Sequence, residues 1–523
     1  MSLIWVLGTA FFHSPWEPYE PFVLAVVKGI ILNHSWLVPY VSNVPYLQIQ
    51  PFYFWIYSAI LKLFDINNIY SIANCIRLLN TLIIFAVVIL AAKIGSNLSA
   101  FKNGRTVVLI LISSVGFINN AYQLSPTILI LLGFCLYIYA LQLYSQLPGI
   151  SGWILFLGLL LISLNFTGEF IVIALLLLCI LPLLDKYWRN KNYLITTTIG
   201  VSMFLVIFYL YGYELRTVNN DFFVQWQQRY RNIFFIQPYN FWHQLGSIAS
   251  FLSWYIVPGW FFVLWSIYKR RRAIFKDKII QLNIVLALLI FIFALLGGHD
   301  LEGEIFPIIL PIVFIASLEI DSIRINIVAL LNWFGICVFG VIGLAIWIAY
   351  IGLNLHYPPI LMDYILKYSQ DYHYNFNIWQ LSLAIIITFI WLFMITRRHI
   401  RGRELVTNWA SNTTYVLVLF LALWLPWFDS VLTFRPIVLN SLPLINKKVC
   451  TATNAVDSTQ GALWYYYADV NLIPSFVNLN FSLCNQAVVA TEDMSKIDQT
   501  QWYIVYQAKR PIDKKIYYVL KHK

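Results

Sequence analysis

The chain has 523 residues, 60% of them hydrophobic and only 11% charged, with a mean hydropathy of +0.73. Soluble domains carry roughly a quarter charged residues, so the composition excludes a soluble globular protein. The formal net charge of +11 lies mainly in short stretches between apolar runs. The positive-inside rule places basic residues there, which argues against a nucleic-acid partner. An outer-membrane barrel would show short alternating strands, whereas these runs are near the roughly 20 residues a spanning helix needs.

The first apolar run, Met1 to Phe12, is short for a span. It has no basic flank and no small-residue cleavage site, so a cleavable signal peptide is not expected. A first loop from His13 to Tyr70 follows, dense in Pro, Trp and Tyr and carrying Glu17 and Glu20. If one helix includes both acids, their spacing of three turns them the same way. A carboxylate beside a membrane-bound cleft can act as general base on an acceptor hydroxyl or phosphate. The competing reading is an acid that only complements a helix dipole. Residues 52–64 are apolar, aromatic and too short to span, which with Lys62 suits a helix lying in the interface.

Beyond the loop, spans are expected over 72–95, 105–119, 121–144, 151–166, 168–184, 193–212, 249–268, 279–298, 304–319, 326–352, 376–396 and 409–428. A further one over 1–13 brings the expected count to thirteen. With the N-terminus inside, most of the strong basic clusters fall on one side, among them Lys269-Arg270-Arg271-Arg272 and Arg397-Arg398. The tail then falls outside.

Several polar positions stand out. Arg77 lies early in a span, where it either pairs or snorkels to the surface. Glu169 opens another span. His299, Asp300, Glu302 and Glu304 form a compact cluster; with Glu17 and Glu20 they either line one acidic cavity around a divalent cation or form a solvated loop. The outer segment 213–248 holds Arg216, Arg229, Arg231, Trp226, Trp242 and His243. Arginine suits bidentate binding of phosphate, and aromatic rings suit sugars and isoprenoid chains. An interfacial aromatic belt is the other reading of the same residues. A further outer segment, 353–375, contains His356, Asp363, Asp371 and His373.

The tail from residue 430 is more polar. Gln460–Ala468 reads as a short helix, and Gln486–Ala490, Trp502–Gln507 and Lys515–Leu520 read as strands, the last two as a hairpin. Together they suggest a small α/β domain. Cys450 and Cys484 lie within it: a disulfide if the tail is extracytoplasmic, two free thiols otherwise. The sequence shows neither a Walker A motif, which speaks against an ATP-driven pump, nor an Asp-x-Asp nucleotide-sugar motif or Cys/His zinc spacing.

Four blocks carry a resemblance. Trp36-Leu37-Val38-Pro39 looks like a Trp-x-x-Pro, and Tyr46-Leu47-Gln48-Ile49-Gln50-Pro51 looks like a Tyr-Phe-Glu-Lys-Pro-Pro followed by an aromatic interfacial helix. Cys75-Ile76-Arg77-Leu78 looks like an Ala-x-Arg-Leu, and Pro307-Ile308-Ile309-Leu310-Pro311 like a Leu-Pro-x-x-Pro region. The chain thus resembles the GT-C class of polyprenyl-phosphate-sugar-dependent glycosyltransferases. The bacterial 4-amino-4-deoxy-L-arabinose lipid A transferases and protein mannosyltransferases are the nearest in pattern. The departures are Tyr19 for the first acid of an Asp-Glu pair, Gln48-Ile49 for Glu-Lys, Thr127 for an outer Asp, and Phe166-Thr167-Gly168 for Thr-Lys-Gly.

The resemblance implies an all-α polytopic membrane protein with about thirteen spans over residues 1–429 and a periplasmic α/β domain over 430–523. It implies residence in the bacterial inner membrane and transfer of a sugar from an undecaprenyl-phosphate donor to lipid A or another envelope acceptor. Glu20 would be the base or would hold a cation, with Glu17 assisting. Tyr46, Gln48, Arg77, Arg216, Arg229, Arg231 and His243 would bind substrate, the arginines replacing the lost lysine at the donor phosphate. A divalent cation is the one cofactor candidate. The lost Asp and Lys also fit a catalytically degenerate binding or assembly protein. A lipid or polysaccharide transporter is a third reading, in which the acid-bearing first loop has no obvious use.

Overall fold

The computed structural model describes residues 13–33, 35–42, 44–46, 49–66, 69–98, 101–164, 168–231, 241–272, 277–297, 301–355, 357–367, 377–396, 403–454, 459–474, 484–492, 501–510 and 512–523. The expected span over 1–13 therefore lies almost wholly outside the described residues, as do Gln48, His299 and Asp300, and the side chains of Arg229 and Arg231.

The first loop holds helix α1 (Glu20–Asn33), a hairpin of β1 (Tyr40–Val41) and β2 (Val44–Pro45), and helix α2 (Pro51–Leu63). Proline sits at the first position of α2, where its missing N–H leaves no bond unmade. The bundle then runs through α3 (Ile69–Leu98), α4 (Phe101–Ser113), α5 (Val115–Ala121), α6 (Thr127–Leu143), α7 (Pro148–Ile162), α8 (Glu169–Leu184) and α9 (Lys191–Val218). It continues with α10 (Asn220–Arg231), α11 (Phe241–Tyr255), α12 (Gly259–Arg270), α13 (Lys278–Leu296), α14 (Leu301–Ile305) and α15 (Ile309–Ala316). The last members are α16 (Ile325–Leu355), α17 (Pro359–Leu366), α18 (Ile378–Thr396) and α19 (Arg403–Leu432).

Among the described residues, six helices are long and apolar enough to cross a membrane, or up to eight if each bent pair counts as one span. The chain is a multi-pass membrane protein, but thirteen full-length spans are not seen in these residues. Helices α6, α7 and α8 are apolar yet only 17, 15 and 16 residues long. Their mutual approach depends on small residues: a Cβ on Gly133 would stand 2.9 Å from the Gly158 carbonyl oxygen, so α6 and α7 touch backbone to backbone.

Three expected spans are not continuous. The one over 105–119 breaks into α4 and α5 with a 70° bend, and the one over 249–268 into α11 and α12 with a 101° bend. At the first break the hydroxyls of Ser113 and Ser114 both bond back to the Ile110 carbonyl, and Ser114 is extended. At the second, Pro258 stands at the turn into α12. The two breaks meet: the ring of Tyr255 covers Gly116 where a Cβ would sit, and Asn120 donates to the Tyr255 hydroxyl at 2.5 Å. The run over 304–319 is divided into α14, a 3-10 turn at Phe306–Ile308 and α15, with Pro307 and Pro311 in the region where a single helix was expected.

One end of the bundle gathers the basic loops. There Lys278 pairs with Asp185, Arg270 with Glu319 at 2.6 Å, and Arg403 with Asp321 at 3.0 Å.

The C-terminal part adds α20 (Arg435–Ser441), β3 (Thr451–Thr453), α21 (Thr459–Ala468), β4 (Leu472–Pro474), β5 (Gln486–Thr491), β6 (Trp502–Ala508) and β7 (Ile516–His522). The strands form one sheet in the order β4-β3-β5-β7-β6. β6 and β7 pair as an antiparallel hairpin, while β3 runs parallel to both β4 and β5. Cys450 and Cys484, at the entrances to β3 and β5, are joined by a disulfide. The whole is a helical membrane protein with a small C-terminal α/β unit.

Candidate functional site

The first loop is held to the bundle by a buried ionic centre. Helix α1 begins at Glu20, whose residue is only 4% exposed. Glu20 Oε2 accepts the Trp16 backbone N–H at 3.0 Å and the Arg77 Nη2 at 3.1 Å. The Arg77 Nε reaches Glu20 Oε1 at a long 3.4 Å. Arg77 projects from α3 and also donates to the His13 carbonyl at 2.8 Å and the Ser14 carbonyl at 3.4 Å. Of the two readings of Arg77, pairing holds and snorkelling does not: its side chain is 4% exposed. The His13 ring lies 3.8 Å from Glu20 Oε2. Glu20 occupies the first turn of α1, where an acid complements the helix dipole, and it faces a charge partner.

Glu17 does not share a helix face with Glu20. It sits in the turn before α1, and Pro15, Pro18 and Pro21 around it keep the chain from extending the helix backwards. Its carboxylate instead meets Arg510 Nη2 at 2.9 Å. Arg510 also donates to Asp513 at 2.7 Å and to the Leu432 carbonyl at 2.9 Å, and its guanidinium lies 3.6 Å from the centroid of the Phe434 ring. Burial, and then the bond it donates to Asp513, raise the Tyr517 hydroxyl above its ordinary range.

Two further anchors escaped the sequence reading. Asp429, near the end of α19, accepts the Ser14 N–H at 2.7 Å and the Trp16 indole N–H at 3.0 Å. Lys28, 5% exposed on α1, donates to the carbonyls of Tyr465 and Tyr466 at 3.1 and 2.9 Å and pairs with Asp469 at 2.5 Å. An acid closing an apolar span marks Asp429 in the sequence. For Lys28 the only signal is a cation inside an otherwise apolar run, Val23 to Leu32.

Of the two readings of the acidic residues, a shared cavity or a solvated loop, the described members do not gather into one cavity. Glu302 is held by Asn119 at 2.5 Å and Asn120 at 3.2 Å, while Glu17 and Glu20 have the partners given above. Among the described residues no group of three or more His, Cys, Asp or Glu side chains could hold a metal ion.

Two of the four resemblance blocks reach an apolar cavity of about 290 Å³, Trp36–Pro39 through Leu37 and Tyr46–Pro51 through Gln50 and Pro51. Tyr46 is buried, stacked on Phe22 with centroids 5.2 Å apart. The Trp55 indole on α2 donates to the Trp36 carbonyl at 2.6 Å, which ties the Trp36–Pro39 block to α2. Gln50 donates to the Tyr230 hydroxyl and accepts from the Trp226 indole at 3.3 Å, which ties the second block to α10. The cavity lies between α2 and α9, with Trp55, Phe204, Phe208 and Tyr211 among its walls, and Gln50 and Glu214 supply polar atoms. Arg216 and His243 are exposed. Arg216 follows Glu214 by two positions on α9, roughly 200° around the helix.

No protein-family model matches the chain, and no curated protein sequence matches it. Solved structures do. ArnT from Cupriavidus metallidurans in the apo state superposes with a TM-score of 0.68 at 12% identity, covering 99% of this chain and 96% of that one. ArnT from the same organism bound to undecaprenyl phosphate gives 0.67 at 12% identity over the same shares. An oligosaccharyltransferase from Archaeoglobus fulgidus gives 0.47 at 12% identity, covering 90% of this chain and 63% of that one. Likeness to ArnT at this identity and over nearly the full length of both chains establishes the architecture: this chain has the GT-C fold.

Proposed function

We propose that this protein is a membrane glycosyltransferase that moves a sugar from an undecaprenyl-phosphate-linked donor to a lipid or glycan acceptor on the periplasmic face of the bacterial inner membrane. The observation that carries the reading is the apolar cavity between α2 and α9, bordered by Tyr230 and by Gln50, whose amide oxygen accepts from the Trp226 indole. A pocket with aromatic walls and few, placed polar groups suits an amphipathic ligand, here an isoprenoid with a phosphate head. That one of the structures sharing this fold holds undecaprenyl phosphate supports the choice of ligand class.

In the proposed reaction the acceptor hydroxyl oxygen attacks the anomeric carbon and the bond from that carbon to the donor phosphate oxygen breaks. Undecaprenyl phosphate leaves with the electron pair, the hydroxyl proton passes to Glu20, and configuration inverts. A carboxylate has about four lone-pair sites. Glu20 Oε2 is occupied by Trp16 and Arg77, whereas among the described residues Oε1 has the long Arg77 contact alone. Oε1 is therefore the acceptor atom assigned to the proton. Glu17 is assigned to holding the C-terminal unit against the first loop. Arg216, Arg229 and Arg231 are the candidates for the donor phosphate, and Tyr46, Gln48 and His243 are assigned to substrate contacts. The division at residue 429 and the periplasmic placement of 430–523 belong to the same proposal.

Transfer is tested with the full chain in lipid nanodiscs, radiolabelled undecaprenyl-phosphate sugars and envelope lipids. Wild type transfers label, and Glu20→Gln lowers the rate by roughly 10²–10⁴-fold, the usual weight of a general base. Transfer unchanged in Glu20→Gln would remove it as the base. The second reading, a non-catalytic lipid-binding member, is favoured by the ion pairs that already engage Glu17 and Glu20. It expects undecaprenyl phosphate to bind in native mass spectrometry, and Trp55→Ala to weaken that binding, without transfer from any donor.

A further inference from the structure

A second cavity, of about 270 Å³, lies at the far end of α1. Helix α1 has 14 residues, so at about 1.5 Å rise per residue the pocket is roughly 20 Å from Glu20. It belongs to neither the ionic centre nor the apolar cavity. Its walls come from three separate segments: Asn33 and Ser35 at the end of α1, Tyr40 and Ser42 in the hairpin, and Tyr465 and Asn471 from the C-terminal unit.

These segments are fastened to one another. Asn33 donates to the Tyr465 hydroxyl at 3.4 Å, and Ser42 donates to the Gly461 carbonyl at 2.9 Å. Lys28, one turn back on α1, is held by the Tyr465 and Tyr466 carbonyls and by Asp469. The pocket is thus formed only when the C-terminal unit is docked on the first loop.

Its lining chemistry differs from that of the apolar cavity. Amides, hydroxyls and phenols surround it, and among the described residues no charged side chain lines it. A phosphate or carboxylate would find no cation among the described lining residues, and an acyl or isoprenoid chain would strip water from amides and hydroxyls without replacing their hydrogen bonds. A neutral pyranose meets both conditions. Its hydroxyls exchange hydrogen bonds with Asn and Ser, which donate and accept, and its C–H face packs on a tyrosine ring. The volume is close to the lower end of ligand pockets, roughly 300–1,000 Å³, and suits one sugar residue.

The geometry points to a binding subsite for a neutral sugar residue between α1, the β1–β2 hairpin and α21. This goes beyond the transferase reading and does not depend on it, because binding is measured without turnover. The test uses saturation-transfer difference NMR on the full chain in nanodiscs, with D-glucose, D-galactose and N-acetyl-D-glucosamine as neutral probes and D-glucuronate as the charged one. At least one neutral probe receives saturation, and D-glucuronate receives at least fivefold less.

Gly29 provides the blocking variant. A Cβ there meets the Tyr40 carbonyl at 3.5 Å and the Tyr465 hydroxyl at 3.6 Å, ordinary contact distances. Gly29→Ala therefore keeps the fold, and Gly29→Leu places further carbons in the pocket. The neutral signal falls at least fivefold in Gly29→Leu and in Asn471→Leu, and persists in Phe204→Ala, on the α9 wall of the apolar cavity. Tryptophan fluorescence melting confirms that each variant is folded; if Gly29→Leu melts early, Asn471→Leu decides. No saturation of any neutral probe, equal saturation of D-glucuronate, or signal retained in the folded blocking variants overturns the proposal. Loss of undecaprenyl-phosphate binding with sugar binding intact would instead count against the transferase reading.

Discussion

Glu20 and Glu17 stand three positions apart and serve two different joints of the molecule. Glu20 faces inward to Arg77 and fixes the first loop to helix α3. Glu17 faces outward to Arg510 and fixes the same loop to the C-terminal unit. The surroundings differ as much as the partners. Glu20 and Arg77 are both almost fully buried, whereas the Glu17 side chain is 39% exposed. A paired charge in a low-dielectric site contributes little net stability when intact but is very destabilising when half of it is removed. Arg510 is itself buried, but it keeps Asp513 when Glu17 is removed, and a partly exposed carboxylate contributes little. The inner joint therefore has a large penalty for disruption, whereas losing the Glu17 contact costs little.

The largest effect is expected from Arg77→Ala, which leaves the buried Glu20 carboxylate with the Trp16 N–H and the more distant His13 ring, and destabilises the protein by about 3–5 kcal/mol. Thermal unfolding in detergent, followed by tryptophan fluorescence, measures it. The double variant Arg77→Met with Glu20→Gln removes both charges and recovers a large part of that loss. If the single and double variants melt together, the pair does not hold the loop and the contrast between the joints fails.

Next in size is the disulfide. Cys450 and Cys484 enclose a separation of 34 residues and link the entrances of two parallel strands, β3 and β5. Replacing both by serine lowers stability by about 2–4 kcal/mol, read as a lower melting temperature that no longer responds to reductant. The outer joint depends on this sheet through Arg510 and Asp513, beside the β6–β7 hairpin, while the inner joint does not. Proteolysis of the double-serine variant should accordingly release C-terminal fragments and leave the first loop protected.

The fold was legible in the sequence wherever a single local signal decided it. The apolar runs that became α3, α13, α16 and α18 needed only length and hydropathy, and the hairpin of β6 and β7 needed only alternation around a turn. The blocks Trp36–Pro39 and Tyr46–Pro51 converge on α2, where Trp55 binds the Trp36 carbonyl. What stayed hidden was set by contacts remote in sequence. The bend between α4 and α5 is coupled to Tyr255, far along the chain from Gly116, and Lys28 is held by carbonyls from α21, 437 and 438 positions away. The short parallel strands β3 and β4 carry three residues each, too few for a periodic signal. Spacing puts Glu17 and Glu20 on one face only if a single helix includes both; the prolines between and around them start the helix at Glu20.

The smallest effect separates the joints most directly. Glu17→Gln removes a half-exposed charge, and Arg510 keeps Asp513, the Leu432 carbonyl and the Phe434 ring. The expected loss of stability is at most about 1 kcal/mol and shrinks further in high salt. A melting curve is too blunt to isolate it, so hydrogen exchange in the Arg510–Tyr517 turn is the measurement. Exchange there should rise in Glu17→Gln while the amides of α1 stay protected, because Lys28 and Arg77 still hold that helix. Should α1 exchange faster as well, the two carboxylates act as one unit, and Glu17 belongs with Glu20 in the site rather than with the C-terminal joint.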